Sequence, residues 1–448
     1  MDSVIKMYKA VPSVVRADEE TEISITAYDG NFLLFDDVEY TVTVTPRDVS
    51  DVPNTPENKL GDYNKSRKMM HIKPQNGVLK LKYFFSGEQM WRIHISSTDY
   101  RKHQPEIYSH YPNNWGWVIT YPEKGRDIYV YSLYPDLYGR TVRKGDLHIH
   151  TNFSDGSESP DYVCASYRKS GRDFVAITDH NIFNASEKTA EKLSFAENFK
   201  IICGEEVHNG YLGNFHMVNI GGNYSVNDIY INNPEKAEKE AKLLEGTVEI
   251  PGNVDKKDYL ERVWLYREIK KSGGFAIFPH PFWNIGYNNT SSKMTAEIIK
   301  NGLCDAFEVI GGCKPFENNL QVNLWNDLRA EGHNIPVVGS TDAHTVFLGS
   351  HLTRYTIVFG DDITDSISDF YSVAVESLSG ENQRVYGTYR LSSYAHFLME
   401  YYFPVHDELC AVSGAFMEQY LIYNRPCKAE IVSAEEAISQ HRKEFFGY

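Results

Sequence analysis

The feature that most constrains this chain is a change of texture near residue 141. From there on, short apolar segments recur at Phe174 to Ile177, Lys200 to Cys203, Phe215 to Ile220, Phe275 to Phe278, Ala306 to Ile310 and Pro336 to Val338. Helical stretches separate several of them. Ser159-Pro160 opens one, with Ser as N-cap and Pro in the first turn, and Gly171 stops it. Another runs from about Asp258 to Lys271, with Leu260, Val263, Trp264 and Ile269 on its inner face and Gly273-Gly274 behind it. A third covers about Asn318 to Glu331. Strands and helices alternating at this length predict an α/β fold, either a parallel barrel or a doubly wound sheet.

The flanks read differently. Up to about residue 140, period-two segments recur at Glu22 to Thr26, Tyr40 to Thr45, Val78 to Lys82, Trp91 to Ile95 and Ile128 to Tyr131. Turn-rich pieces such as Asp29-Gly30, Pro74 to Gly77 and Lys124-Gly125 lie between them, so residues 1–140 predict an all-β sandwich. Its His71, His94, His103 and His110 are scattered and suit surface or packing roles. The α/β region then covers 141–360. Within it, the polar stretch 221–257, with its PEKAEKEAK piece, reads as an insertion at the rim, a solvated helix with flexible flanks. After Phe359 the pattern turns helical, for example over Ser392 to Tyr402 and Glu408 to Tyr423. Residues 361–448 are therefore expected to form a helical C-terminal extension that packs on the barrel or supports a homo-oligomer.

Composition excludes several function classes. With 45 Lys and Arg against 61 Asp and Glu, the net charge is −16, the wrong sign for a chain that grips nucleic acid or an anionic membrane through a basic surface. Cationic metals suit it better. The opening MDSVIKMYKAVPSVVRADEE has no apolar core of signal-peptide length, and no run of about 20 apolar residues occurs elsewhere, so a cytoplasmic location is expected. The six Cys are widely spaced without a C-x-x-C pair, which points to reduced thiols and not to a disulfide framework or a thiolate zinc site.

The chemistry begins at His148-Ile149-His150. Two His two apart on a strand face the same way and can reach one metal or two neighbours. With 16 His in 448 residues, chance alone gives about 0.6 such pairs, so the pair by itself is weak. Context strengthens it. Asp146 shares their parity and could accept a second ring N–H of a ligating His. Asp155-Gly156 could turn a carboxylate back over the site. Thr178-Asp179-His180 ends one strand, Gly204-Glu205-Glu206 the next, and His216 lies in the following one. His280, between two prolines, ends another, and Asp342 and His344 in STDAH end the last. Ligand-type residues thus gather at successive strand ends, where α/β barrels keep their catalytic groups. A His and carboxylate set without thiolate suits Zn²⁺, Mn²⁺ or Fe²⁺, and it holds more ligands than one tetrahedral site uses, so two or three divalent metal ions are expected. Glu206 is the candidate bridge.

The motifs KGDLHIHTNFSDGS, FVAITDHN, GEEV, FPHP and GSTDAH, in this order, resemble the polymerase and histidinol phosphatase (PHP) superfamily of metallohydrolases, over about Lys144 to Phe359. The resemblance implies a distorted (β/α)₇ barrel with a trinuclear site. By motif, His148 and His150 would bind the first metal with Asp342, Glu206 bridging. His216 and His280 would complete the second, and Asp155, His180 and His344 would hold the third. Asp155 stands where some members have His, His216 competes with His208, and Glu205 competes with Glu206, which the G-x-E spacing selects. The flanking sandwich is loosely similar to a branch that includes carbaryl-hydrolase-like enzymes.

No nucleophilic triad, G-x-S-x-G elbow or Walker loop is present, which leaves as nucleophile a metal-activated water held by Asp155, His180, Glu206 and Asp342. The expected substrate is a small molecule: a phosphoester, with Arg354 placed to pair with phosphate, or alternatively a carbamate, ester or amide. Phe282 and Trp283 could form an apolar wall beside it. A non-catalytic, metal-loaded binding module is the third reading.

Overall fold

The structure, a computed structural model, describes residues 7–28, 33–48, 67–97, 127–208, 215–284, 286, 288–347, 349–378 and 383–448. The chain divides into two compact units, Met1–Gly139 with Ser439–Tyr448, and Arg140–Ile438. The predicted turns at Asp29-Gly30 and Lys124-Gly125, and the residues His103 and His110, lie outside the described residues.

The first unit is built as its alternation predicts. Its strands are β1 (Tyr8–Val11), β2 (Val14–Arg16), β3 (Glu19–Ala27), β4 (Tyr40–Pro46), β5 (Lys68–Ile72), β6 (Leu79–Phe85), β7 (Gln89–Ser96) and β8 (Asp127–Leu133). They form a three-stranded sheet in the order β1-β3-β6 and a five-stranded sheet in the order β2-β8-β7-β4-β5. Alternate residues of both sheets, among them Ile23, Leu81, Val42, Ile93 and Val130, are fully buried in one shared core. The indole of Trp91 is buried there and donates to Ser132 Oγ at 2.9 Å. His94 pairs with Asp127 at 2.7 Å and His71 sits 3.3 Å from Thr41 Oγ1, the packing roles expected of them. Beyond residue 438 the chain returns to this unit, where the Phe445 carbonyl accepts the Ser13 N–H.

The second unit is a mixed α/β structure around a ten-stranded, nearly closed sheet. In chain order it holds β9 (Val142–Ile149), α1 (Pro160–Lys169), β10 (Phe174–Ile177), α2 (Glu187–Lys192), β11 (Lys200–His208), β12 (His216–Ile220), α3 (Asn227–Asn232), α4 (Pro234–Leu243), α5 (Lys256–Lys271), β13 (Phe275–Phe278), α6 (Ser292–Lys300), β14 (Ala306–Ile310), α7 (Pro315–Ala330), β15 (Val337–Gly339), β16 (Arg354–Phe359), α8 (Ile363–Ser368), β17 (Ser372–Glu376), β18 (Arg384–Tyr386), α9 (Tyr389–Tyr401), α10 (Phe403–Leu421) and, as far as Ile438, α11 (Lys428–Phe446). The sheet order is β15-β14-β13-β12-β11-β10-β9-β16-β17-β18. A side chain ties its β15 end back to β16: Thr356 Oγ1 accepts the Gly339 N–H at 3.0 Å and donates to the Gly339 carbonyl at 2.9 Å.

Three expectations are corrected. The sheet is not wholly parallel: β12 runs antiparallel to β11 and β13, and β16 antiparallel to β9. Seven residues separate β11 from β12, too few for a helical crossover but enough for a hairpin. Residues 361–448 are not purely helical: β17 and β18 extend the sheet. The Ser372-Val373-Ala374-Val375 run carries the β-branched signal of a buried strand, and all of β17 is buried. The 221–257 insertion is not a loosely solvated helix. Asn233 caps α4, Ala237 and Ala241 pack into the main core, and Trp264 of α5 donates to Glu240 at 2.9 Å.

Helix α10 lies hard against α1 because residue 414 has no side chain. A Cβ on Gly414 would meet Lys169 N at 2.3 Å and its Cα at 2.5 Å. Gly414→Ala should therefore destabilise by about 1–3 kcal/mol through forced separation of the two helices. A thermal midpoint equal to that of the wild type would show that the helices can part without cost.

Candidate metal centre

The strand ends converge as the spacing predicts. His148 and His150 leave the end of β9, His180 follows β10, Glu206 lies near the end of β11, His280 follows β13, and Asp342 and His344 follow β15. His216 is the first residue of β12. Because β12 is antiparallel, its start lies at the same edge as the ends of its parallel neighbours, and it pairs in register with His208.

Glu206 is the hub of the cluster. Its Oε1 lies 2.6 Å from His216 Nδ1 and 3.0 Å from His280 Nε2. Its Oε2 lies 3.3 Å from Nε2 of both His148 and His150 and 3.4 Å from His180 Nε2. One carboxylate thus faces five imidazoles, split between its two oxygens. Asp342 adds a second centre, 3.1 Å from His150 Nε2 and 3.3 Å from His148 Nε2. At the mouth, Asp155 is 54% exposed and reaches His150 at 3.4 Å and His344, 41% exposed, at 3.2 Å. The turn that returns Asp155 works only with Gly156, where a Cβ would lie 2.6 Å from the His150 carbonyl carbon. All nine predicted residues therefore come together.

Their grouping differs from the one the resemblance implies. Ligand atoms of His148, Glu206, His280 and Asp342 lie within 4.8 Å of one another, as do those of His150, Asp342 and His344, and of His150, His180 and Glu206. His280 thus sits with His148 as well as with His216, the partner expected for it, since His216 and His280 share Glu206 Oε1.

The donors fit divalent cations. His148 Nδ1 lies 3.0 Å from the buried Glu308 carboxylate, which takes its N–H and leaves the lone pair on Nε2. That Nε2 is only 3.2 Å from His150 Nε2. Two ring nitrogens this close need a proton or a cation between them. Burial opposes charge on His148, yet Asp342, Glu206 and Glu308 outweigh it and hold its pKa well above the usual imidazole range. Burial likewise opposes charge on Glu206, and His216 and His148 overcome it, holding its carboxyl well below the usual range. Protons on imidazole and divalent cations thus compete for the same positions. Backbone strain marks the site too. His280 (φ 26°) and Asp342 (φ 50°) both occupy the left-handed region, which costs on the order of 1–3 kcal/mol each and is kept where the surroundings demand it.

Several supporting residues differ from expectation. Asp146 does not take a histidine ring N–H. It accepts the Thr341 hydroxyl at 2.5 Å, the Tyr167 hydroxyl at 3.1 Å and the His148 backbone N–H at 3.2 Å, and burial raises its pKa to about 6. Its carboxylate is engaged by Thr341 and Tyr167 and so is not free to take a ring N–H. Glu308 fills the role foreseen for Asp146. A lone carboxylate inside the apolar run Ala306 to Ile310 was its signal in the sequence. Asp179 also went unassigned; it clamps the Asp155 loop through the Thr151 N–H (2.7 Å) and hydroxyl (2.6 Å). Glu205, on the opposite face from Glu206, receives Val226 N–H at 2.6 Å and Ser225 Oγ at 2.6 Å and anchors the insertion. Arg354 is not brought into the cluster: it pairs with buried Glu376 at 3.5 Å and donates to the Cys313 carbonyl at 3.1 Å.

Glu308→Ala should lower metal affinity about 10–100-fold, the usual effect of losing a carboxylate that orients a ligating His. Chelator competition reads this directly, and an unchanged affinity would remove Glu308 from the site.

A model of the PHP domain matches residues 146–245, and this part of the chain is a PHP domain. The chain is 28% identical over 187 residues to the DNA polymerase/3'-5' exonuclease PolX of Bacillus subtilis, a match covering 38% of this chain but only 31% of that protein. It is 27% identical over 150 residues to an uncharacterized protein of Methanocaldococcus jannaschii, covering 31% of this chain and 68% of the other. Among solved structures, a two-domain Bacteroides vulgatus protein containing a predicted PHP-like metal-dependent phosphoesterase matches at 21% identity and TM-score 0.36, over 54% of this chain and 66% of that one. An amidohydrolase from Chromobacterium violaceum matches at 16% identity and TM-score 0.31, over 46% and 88%. Among the described residues, no helix is long and apolar enough to cross a membrane, and the six Cys are all free thiols.

Proposed function

We propose that this chain is a metal-dependent hydrolase, a phosphoesterase acting on a small phosphorylated substrate with two or three Zn²⁺, Mn²⁺ or Fe²⁺ ions in the cluster. The observation that carries the reading is Glu206, a buried carboxylate with each oxygen turned to a different set of imidazoles. Divalent cations, when bound, supply Lewis acidity toward phosphoryl oxygens and acidify water. The protein's own groups then divide the work. Glu206 and Asp342 set the spacing of the donors, and Glu308 keeps the His148 lone pair aimed inward. Asp155 and His344, half exposed, leave the cluster open to a substrate on one side only. Similarity to a protein named as an exonuclease, whose reaction is phosphodiester hydrolysis, favours phosphorus over carbonyl carbon as the centre attacked. The free thiols suit a reducing, cytoplasmic setting.

The test is turnover by the full chain loaded with Mn²⁺, Zn²⁺ or Fe²⁺ in turn on a panel of phosphomonoesters and phosphodiesters. Hydrolysis of at least one class is expected. Inertness on that panel together with turnover of aryl esters or carbamates would move the chemistry to carbonyl carbon, an outcome compatible with Arg354 being taken by Glu376.

A further inference from the structure

Three of the four described tryptophans, Trp91, Trp264 and Trp325, are buried; Trp283 is 41% exposed. It stands three residues after His280, beside the cluster. Its ring centroid lies 5.9 Å from that of His280, at an interplanar angle of 73°, and 6.2 Å from that of His216, at 43°. The adjacent Phe282 is buried, so the two do not form one wall. The Trp283 backbone is pinned on both sides: its N–H donates to the His280 carbonyl at 3.0 Å, and its carbonyl accepts the Asn289 N–H at 2.9 Å. Behind it, Thr290 N–H donates to the Pro281 carbonyl at 2.7 Å.

An indole left in water costs hydrophobic free energy that core packing would recover. Here the loop is tied down so that the ring stays at the metal centre with a surface uncovered. Two other exposed aromatics stand on loops that leave the same edge of the sheet. Phe153 is 55% exposed on the loop carrying Asp155, and Phe347 is 78% exposed three residues after His344. Trp283 therefore offers flat apolar surface beside the cluster, while Arg354, the cation expected to grip the substrate, is held by Glu376.

We propose that Trp283 is a specificity-determining platform on which a planar aromatic or heteroaromatic leaving group of the substrate stacks while the scissile ester lies over the Glu206 cluster. This rests on the hydrolase reading above and names its substrate class: esters of aryl or heteroaryl alcohols in preference to alkyl ones. The warrant is geometric. A ring within about 6 Å of the two imidazoles nearest Glu206 Oε1 is one leaving-group length from the reacting centre, and aromatic pairs gain from offset or edge-on contact beyond the area they bury.

Binding tests this independently of turnover. The Mn²⁺-loaded full chain is titrated calorimetrically with phenylphosphonate and with methylphosphonate, neither of which has an ester bond to hydrolyse. The wild type should bind the phenyl compound about two- to tenfold tighter, the range expected for one aromatic pair. The affinity ratio should collapse toward one in Trp283→Ala and persist in Trp283→Phe, which keeps a ring. Equal affinities in the wild type, no binding of either compound, or a ratio unchanged in Trp283→Ala would each overturn the platform. A preference for the phenyl compound that depends on Trp283, with no hydrolysis of any aryl or alkyl phosphate, would keep the platform and overturn the phosphoesterase reading instead.

Discussion

Glu206→Gln should leave a folded protein that neither holds its metals nor turns over substrate. The amide keeps the volume, but its NH₂ end must face imidazole nitrogens where a carboxylate oxygen stood, either His216 and His280 at 2.6 and 3.0 Å or His148, His150 and His180 at 3.3 to 3.4 Å. Losing a carboxylate that only orients a ligand costs about 10–100-fold in metal affinity or activity, and the shared ligand itself should exceed the upper figure. Elemental analysis after desalting should show a lowered metal-to-protein ratio, and the hydrolysis rate should fall with it. Full metal content at wild-type rate would mean that Glu206 does not bridge. Circular dichroism of the variant separates this from misfolding, and native-like spectra are expected because the substitution is nearly isosteric.

The largest expected effect on stability lies on the far side of the sheet. Arg168 on α1 is fully buried. It donates to both Glu435 oxygens at 2.8 Å, to Asp173 at 3.1 Å and to the Arg172 carbonyl at 3.0 Å. Glu435 also accepts Ser413 Oγ at 2.6 Å, and Asp173 lies 2.9 Å from His406 Nε2. Lys144 of β9 joins through Asp407 at 2.7 Å. Burial opposes charge on His406, but Asp173 outweighs it and holds the imidazole pKa well above its usual range. The network ties α10 and α11 to β9, α1 and β10. Arg168→Met removes the cation between two buried carboxylates and leaves Glu435 without a charged partner, which should cost about 3–5 kcal/mol. Urea unfolding followed by circular dichroism would show it. Arg168→Met combined with Glu435→Gln should recover part of the loss, since the penalty is the unpaired charge. A loss under about 1 kcal/mol would mean that water reaches Glu435, against its burial.

The two experiments separate levels of organisation that the primary structure reveals unequally. The alternation in β3, β6 and β7 is visible because one face of each strand is buried and the other more exposed, a local property of side chains. The candidate metal ligands are visible for a related reason: they gather at strand ends, and strand ends have sequence signals. Glu308, Asp179 and the Arg168–Glu435 pair were harder to find because their partners lie 160, 28 and 267 positions away. A buried carboxylate inside a strand is a local oddity, but only the closing of the sheet shows which histidine it serves. The strands β17 and β18 were hidden by their setting, two short runs among helices.

By itself the sequence determined the α/β class of the central region, the sandwich before it, and the nine candidate metal ligands, because each depends on residue type and period along the chain. Tertiary structure alone decided that β12 reverses direction and so delivers His216 to the same edge. It alone placed His280 beside His148, gave the second ring nitrogen of His148 to Glu308 and not Asp146, engaged Arg354 with Glu376, and left Trp283 open beside the cluster. These are distances between residues far apart in sequence, and they exist only once the sheet has curved nearly onto itself.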